Sequence, residues 1–292
     1  MRRHSYRPQR TLRRETEVVG PGMISGRPIR ARFLPASAST GVVFVRRDLA
    51  GHPRIPAHVS RVSGTARRTT LGRDRLSVTL VEHVLAALAG LRIDNCLVEL
   101  DGPEPPGLDG SAAAFVEALE AAGIETQSAM RSVWQITEPL TVGTPGAMLT
   151  LHPATQPGLH LSYFLDYGPN SPIGRQVHTQ EVLPSSFARD LASCRTFVLE
   201  SEAAELRRAG LGLHLTERDL LVFGPHGPIG NRLRFANEPA RHKVLDMVGD
   251  LSLLGVDLCG HVVAFRSGHP LNIELGQVLH HRLVAALSRV AA

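Results

Sequence analysis

Pro239-Ala240-Arg241-His242-Lys243-Val244-Leu245-Asp246-Met247-Val248-Gly249-Asp250-Leu251-Ser252-Leu253-Leu254-Gly255 decides the fold. Pro is well suited to a first helical position, and Gly marks a stop. Val244, Leu245, Met247, Val248, Leu251 and Leu254 go most of the way round the helical wheel, so the spacing predicts a helix buried on nearly every side. His242, Asp246, Gly249 and Asp250 nevertheless form a stripe at i, i+4, i+7 and i+8. Buried polar groups require partners, and a metal ion or a paired charge answers that requirement. Lys243, within the stretch, is the single lysine of a chain with 31 arginines. A compact ammonium and a planar guanidinium fork are not interchangeable at a reacting centre. One residue past His242, Lys243 is turned about 100° away from the stripe, which aims it at the side of any site there.

A second segment, Thr79 to Gly90, reads the same way: Thr79 and Glu82 have capping-box spacing, the interior is Ala/Leu-rich, and Gly90 is a stop. The two helices have similar downstream segments. After the first come a strand-like Asp94 to Leu100 and then Asp109-Gly110-Ser111, which opens a helix to about Ala122. After the second come a strand-like His261 to Phe265 and then Ser267-Gly268-His269-Pro270, which opens a helix to about Val290. From His83 to Gly110 is 27 residues and from His242 to Gly268 is 26, as expected of a diverged internal duplication. Short β-rich stretches at Gly41 to Arg46, Met148 to His152, Leu159 to Leu165 and Asp219 to Phe223 fit the plan. The halves are expected to be residues 11–128 and 129–290, the second with extra material at about 195–225.

Composition bounds the rest. Hydrophobic content of 43% with 20% charged residues suits a soluble globular protein, and 292 residues allow two domains. Aromatics are only 4%, which argues against a base-stacking nucleic-acid surface. Net charge is +5, with Arg2, Arg3, Arg7 and Arg10 crowding residues 1–10, expected to be a flexible basic tail. Cys96, Cys194 and Cys259 are odd in number and never in a C-x-x-C pair, so they read as small hydrophobes in a reducing compartment. No apolar run approaches a membrane span and no secretory signal is visible, which places the protein in the cytoplasm.

His242 and Asp246 share a helix face, as an ion pair or as two donors to one metal ion. The equivalent helix of the other half offers His83 as a third donor, and two His with one carboxylate is the stoichiometry of a catalytic zinc. Glu82 is either the cap partner of Thr79 or a general base beside a metal-activated water. His269 either sits exposed at its helix start or pairs with Asp250, a carboxylate that would favour the imidazolium. Thr196 is either structural or a hydroxyl donor to an oxyanion.

Seven ordered motifs carry a resemblance: Val81-Glu82-His83; Ala87-Leu88-Ala89-Gly90-Leu91-Arg92-Ile93-Asp94-Asn95; Asp109-Gly110-Ser111-Ala112; Arg195-Thr196-Phe197; Arg241-His242-Lys243-Val244-Leu245-Asp246; Gly249-Asp250-Leu251; and Ser267-Gly268-His269-Pro270-Leu271-Asn272. Together they resemble the UDP-3-O-acyl-N-acetylglucosamine deacetylase family, the zinc amidases of lipid A synthesis, from about Arg10 to Leu287. The resemblance implies an α+β fold of two similar domains, each a β-sheet with two α-helices and a small insert, the helices packed between the sheets. It implies Zn2+ on His83, His242 and Asp246, a set that also fits Fe2+. It implies Glu82 as base, His269 held by Asp250 as cationic acid, Thr196 as oxyanion donor, and Lys243, Arg266 and Phe197 toward the substrate. The partner implied is an acylated UDP-N-acetylglucosamine, met by a monomer with at most peripheral membrane contact. Two departures stand out: Ile24 in Gly20-Pro21-Gly22-Met23-Ile24-Ser25-Gly26 occupies a family His position, and His214-Leu215-Thr216 replaces Gly-Gly-Ser. The second leaves room for a different acyl length or another N-acetylated sugar. A non-catalytic relative of the fold is the remaining alternative.

Overall fold

The computed structural model describes residues 1–154 and 156–290. Its helices are α1 (Glu82–Gly90), α2 (Ala113–Ala122), α3 (Pro184–Asp190), α4 (Glu200–Arg208), α5 (Glu238–Ser252) and α6 (His269–Val290). In the first half, α1 leads into strand Cys96–Leu100 and then α2; in the second, α5 leads into strand Asp257–Phe265 and then α6. The repeated helix–strand–helix unit is the duplication expected from sequence. Each of these strands runs parallel to an earlier strand of its own half, Val42–Arg46 or Leu159–Leu165. Parallel neighbours cannot be joined by a hairpin, so a crossover is needed, and α1 and α5 supply it.

The first sheet has five strands, in the order Thr16–Pro21, Pro28–Pro35, Cys96–Leu100, Val42–Arg46, Arg54–Pro56. The second has seven, with Asp257–Phe265 at its centre. On one side this strand pairs with Ala147–His152; on the other it pairs first with Val133 to Gln135 and then with Leu159 to Phe164. α1 packs on α5 between the sheets, burying Leu85, Leu88, Val248 and Leu251 among them. This is the expected sandwich, with a three-stranded insert in each half (residues 62–79 and 197–228).

Glycine is what allows the central helices to approach. A Cβ on Gly249 would lie 2.2 Å from the Glu82 carbonyl oxygen. Gly90 likewise abuts Phe187, where a Cβ would lie 2.3 Å from the ring; the helix ends at Gly90 as expected, but the glycine's small size also serves packing. The left-handed residue that ends this helix is Arg92, with φ of 56°. The Thr79–Glu82 capping box does not form: the helix begins at Glu82, its N-cap is Val81, and Thr79 lies in a short strand bonded to Arg68 and Thr70.

The flexible tail is a second correction. Arg2–Leu12 is a strand paired antiparallel with Ile124–Gln135, so the chain starts in the second sheet before building the first. Its arginines include anchored ones: Arg7 donates to Asp94 at 2.7 Å and 2.8 Å and also pairs with Asp257, while Arg131 bridges the same two carboxylates. Those partners lie 87 and 250 residues along the chain, invisible to a local reading of charge. The expected boundary at 128/129 falls inside strand Ile124–Gln135, which comes directly after α2 and its stop at Gly123. All three cysteines are buried and free, as expected of small hydrophobes.

Candidate metal centre and active site

α1 delivers Glu82 and His83 from its first turn, and α5 presents His242, Asp246 and Asp250 along one stripe. Because Gly249 lets the helices touch at Glu82, the two contributions meet. Leu80, held at a left-handed φ of 55°, turns the chain sharply just before Glu82. Donor atoms of His83, His242 and Asp246 all lie within 4.8 Å of one another. Asp246 Oδ1 stands 3.3 Å from His242 Nε2 and 3.7 Å from His83 Nε2.

The His242 ring is oriented by its other nitrogen. Nδ1 lies 2.9 Å from the Cys194 carbonyl, which can only accept, so the proton is on Nδ1 and the Nε2 lone pair faces the site. Burial, with His83 and Lys243 adding to it, pushes the His242 pKa down to about 3 in spite of Asp246, so the imidazole is neutral. Asp246 is buried, which alone would favour its neutral form, yet the Lys243 ammonium, with His83 and the charged His269 adding to it, holds its carboxyl well below the usual range. Its Oδ1 is nonetheless buried without a hydrogen-bond partner among the described residues. A buried anionic oxygen in that condition is costly, and a cation shared with two imidazole nitrogens satisfies it. The donor set therefore fits a metal ion, and its two imidazoles and one carboxylate match zinc-type coordination.

Glu82 is 2% exposed; burial raises its pKa, opposed by His269 and His83. Oε2 accepts the Thr69 N–H at 3.0 Å, leaving Oε1 3.9 Å from His269 Nε2. Asp250 organises the other side. Its Oδ2 accepts from His269 Nδ1 and Asn272 Nδ2, both at 2.8 Å, and its Oδ1 accepts the Thr69 hydroxyl at 2.6 Å. Burial works against charge on His269, but Asp250 first and then Glu82 and Asp246 outweigh it, raising the pKa to about 9. The imidazolium is the form present at neutral pH.

Thr69 and Asn272 are the residues that sequence reading missed. Thr69 is fully buried and bonds both carboxylates, Glu82 through its amide and Asp250 through its hydroxyl. It comes from the first insert, and nothing in Arg67-Arg68-Thr69-Thr70 has helical or strand spacing that would have signalled it. Asn272 had a signal, since it stands one turn after His269 on α6.

The remaining expected residues divide. Lys243 does not simply extend past the stripe: its Nζ bends back to Asp246 Oδ2 at 3.0 Å, and lies 5.5 Å from the Phe197 ring centre. The Phe197 ring is 6.4 Å from that of His242, so it walls the site. Thr196 is pinned beside it through its backbone, the amide donating to the Gly110 carbonyl at 2.8 Å and the carbonyl accepting from Leu221 N at 2.9 Å. Arg266 stands apart from this cluster, paired with Asp166 at 3.1 Å. Ile24 donates its N–H to Glu104, and His214 Nε2 reaches the Gly22 carbonyl at 3.1 Å, so the two departures lie against each other.

Known proteins are similar to this chain over most of its length. A protein named UDP-3-O-acyl-N-acetylglucosamine deacetylase from Trichormus variabilis is 40% identical over 274 residues, covering 92% of this chain and 97% of its own. That of Bdellovibrio bacteriovorus is 40% identical over 268 residues, covering 91% and 88%. The bifunctional enzyme LpxC/FabZ of Chlorobaculum tepidum is 37% identical over 293 residues, covering 91% of this chain and 62% of its own. The family model described as UDP-3-O-acyl N-acetylglycosamine deacetylase matches residues 9–281, and with most of its length accounted for in this way the chain belongs to that family.

Proposed function

We propose that this protein removes the N-acetyl group from UDP-3-O-acyl-N-acetylglucosamine, releasing acetate, as a cytoplasmic step of lipid A synthesis. Relatives matched over most of their own length carry that enzyme's name. The observation that carries the reading is the unpartnered Asp246 Oδ1 facing two imidazole nitrogens, with Glu82 and a cationic His269 alongside.

His83, His242 and Asp246 would hold the metal, which we assign as zinc. Bound there, zinc supplies Lewis acidity and brings the pKa of a water towards about 7. Glu82 Oε1 takes a proton from the attacking water; its raised pKa makes it a better acceptor than an exposed carboxylate. Thr69 N–H fixes the other oxygen, so the base does not rotate. As the water oxygen bonds to the acetamide carbon, charge develops on the former carbonyl oxygen. His269 Nε2–H and the Thr196 hydroxyl are the protein's donors to it. The C–N bond then breaks with its electron pair going to nitrogen, and His269 Nε2 delivers the proton that makes the leaving group an amine. Asp250 keeps His269 charged and aimed from Nδ1. Lys243 and Phe197 present a cation and an apolar ring beside the metal ligands, suited to the sugar and its substituents, and Arg266 would reach the nucleotide phosphates on leaving its pairing with Asp166.

Metal content and turnover together test this. Glu82→Ala is expected to keep its metal and lose most deacetylation of the UDP-sugar; His242→Ala is expected to lose both. Unchanged kcat in the first, or full metal occupancy in the second, refutes the corresponding role.

A further inference from the structure

The outer face of the second sheet holds three histidines in one row. His152 pairs with His261 across one strand boundary, and His261 pairs with His160 across the next. Their neighbours Leu151, Val262 and Leu161 are buried toward the helices, so by strand alternation the three imidazoles lie on the face away from α5 and the active site. Glu181 extends the row onto the fourth strand. The nearby outward rows differ in character: Thr150, Val263, Ser162 and Thr179, then Met148, Phe265, Phe164 and Val177.

We propose that His152, His261 and His160 form a second binding site for a divalent transition cation such as Zn2+, separate from the catalytic centre. Neighbouring strands lie about 4.8 Å apart, so the two outer histidines flank His261 from roughly twice that distance, and turning the three rings toward a common point above His261 lets them share one ion. Imidazole donors select Zn2+, Ni2+ and Cu2+ over Mg2+ or Ca2+. An independent observation points the same way: His160 Nε2 is buried and has no hydrogen-bond partner among the described residues. His160 and His261 stand with ring centres 6.1 Å apart. His261 is the central residue of the row, paired with His152 on one side and His160 on the other. Its Nε2 is 2.8 Å from Ser162 Oγ, so capture requires the ring to turn from that hydroxyl. Ser162 keeps a second partner in Thr179 Oγ1 at 2.8 Å, which leaves it satisfied after the exchange.

Equilibrium dialysis of the zinc-loaded enzyme against increasing free Zn2+ tests the site. Wild type is expected to take up a second equivalent, and His152→Ala and His261→Ala are each expected to weaken it at least about tenfold. Both variants should keep the first equivalent and full deacetylation. Asp246→Ala, conversely, should lose the first equivalent and retain the second, which separates this site from the catalytic reading. Wild type that binds no second equivalent, or a second equivalent undiminished in both histidine variants, overturns the proposal.

Discussion

Gly249→Ala sets two opposing effects against each other. Gly249 lies within a 15-residue helix, where replacing Gly by Ala is worth about 1 kcal/mol of helix propensity. Against this, the added Cβ would lie 2.2 Å from the Glu82 carbonyl oxygen, 3.0 Å from its carbon and 3.2 Å from Ala86 N. All three are backbone atoms of α1, so no side-chain rotation relieves the contact. Restoring ordinary separation means moving α1 from α5 by roughly 1 Å. Forcing extra volume into a packed seam costs about 1–3 kcal/mol, so the clash exceeds the propensity gain. Tm should fall by a few degrees, at roughly 2–4 °C per kcal/mol for a chain of this size. The functional loss should be larger than the stability loss, because the contact separates Glu82 and His83 from His242, Asp246 and Asp250. A displacement of about 1 Å at reacting groups costs on the order of 100-fold. Thermal unfolding, metal content and kcat/KM on one preparation measure all three quantities. A raised Tm with kcat/KM within about twofold of wild type would refute the idea that this glycine sets the helix spacing.

Three further outcomes are expected of the site. Thr69→Val keeps the shape but strips Asp250 Oδ1 of its 2.6 Å donor; at about 1–3 kcal/mol for an unpaired buried acceptor, kcat should fall roughly 10- to 100-fold with KM little changed. Thr69→Ser should restore most of it, and an equal loss in both variants would show that the hydroxyl is irrelevant. Because the His269 pKa is raised to about 9, its charged form, and the stability it contributes, is complete below the ordinary 6.5 and is lost as pH rises through about 9. Asp250→Asn should therefore move the basic limb of the pH–rate profile to lower pH, and an unmoved limb removes the pairing from the mechanism. Lys243→Arg should impair substrate use while metal stays bound, since a guanidinium cannot reproduce one compact ammonium 3.0 Å from Asp246 Oδ2; wild-type kinetics would make the lone lysine an accident of composition.

The features legible in the sequence have a period. The α5 stripe of His242, Asp246 and Asp250 is a helical repeat, and the helix–strand–helix unit recurs at nearly the same spacing in both halves. Glu82 and His83 are legible because they open the matching helix. Contacts between distant segments lack any such mark. Arg7 reads as one charge in a solvated run because Asp94 and Asp257 are elsewhere in the chain. Thr69 carries no signal because its partners Glu82, Asp250 and His269 come from three different helices. The capping box fails for a related reason: Glu82 is drawn to the Thr69 amide, and helix α1 starts three residues after Thr79.

Two of the three histidines at the candidate site, His242 and His269, differ in their proposed roles on chemical grounds. Both are buried, and burial alone disfavours charge on each. His242 Nδ1 meets a carbonyl, a neutral acceptor that orients the ring without stabilising a proton on Nε2 strongly enough to offset burial. His269 Nδ1 meets a carboxylate that is itself held by Thr69 and Asn272, so its charge has a fixed counter-ion. The pKa of one falls to about 3 and that of the other rises to about 9, although Asp246 and Asp250, which face them, stand one turn apart on α5. A lone pair for a cation and a proton for a leaving amine are thus available together at neutral pH. Exchanging the acceptors would exchange the functions: a carboxylate at the Cys194 carbonyl position would protonate His242 and cost the centre its metal.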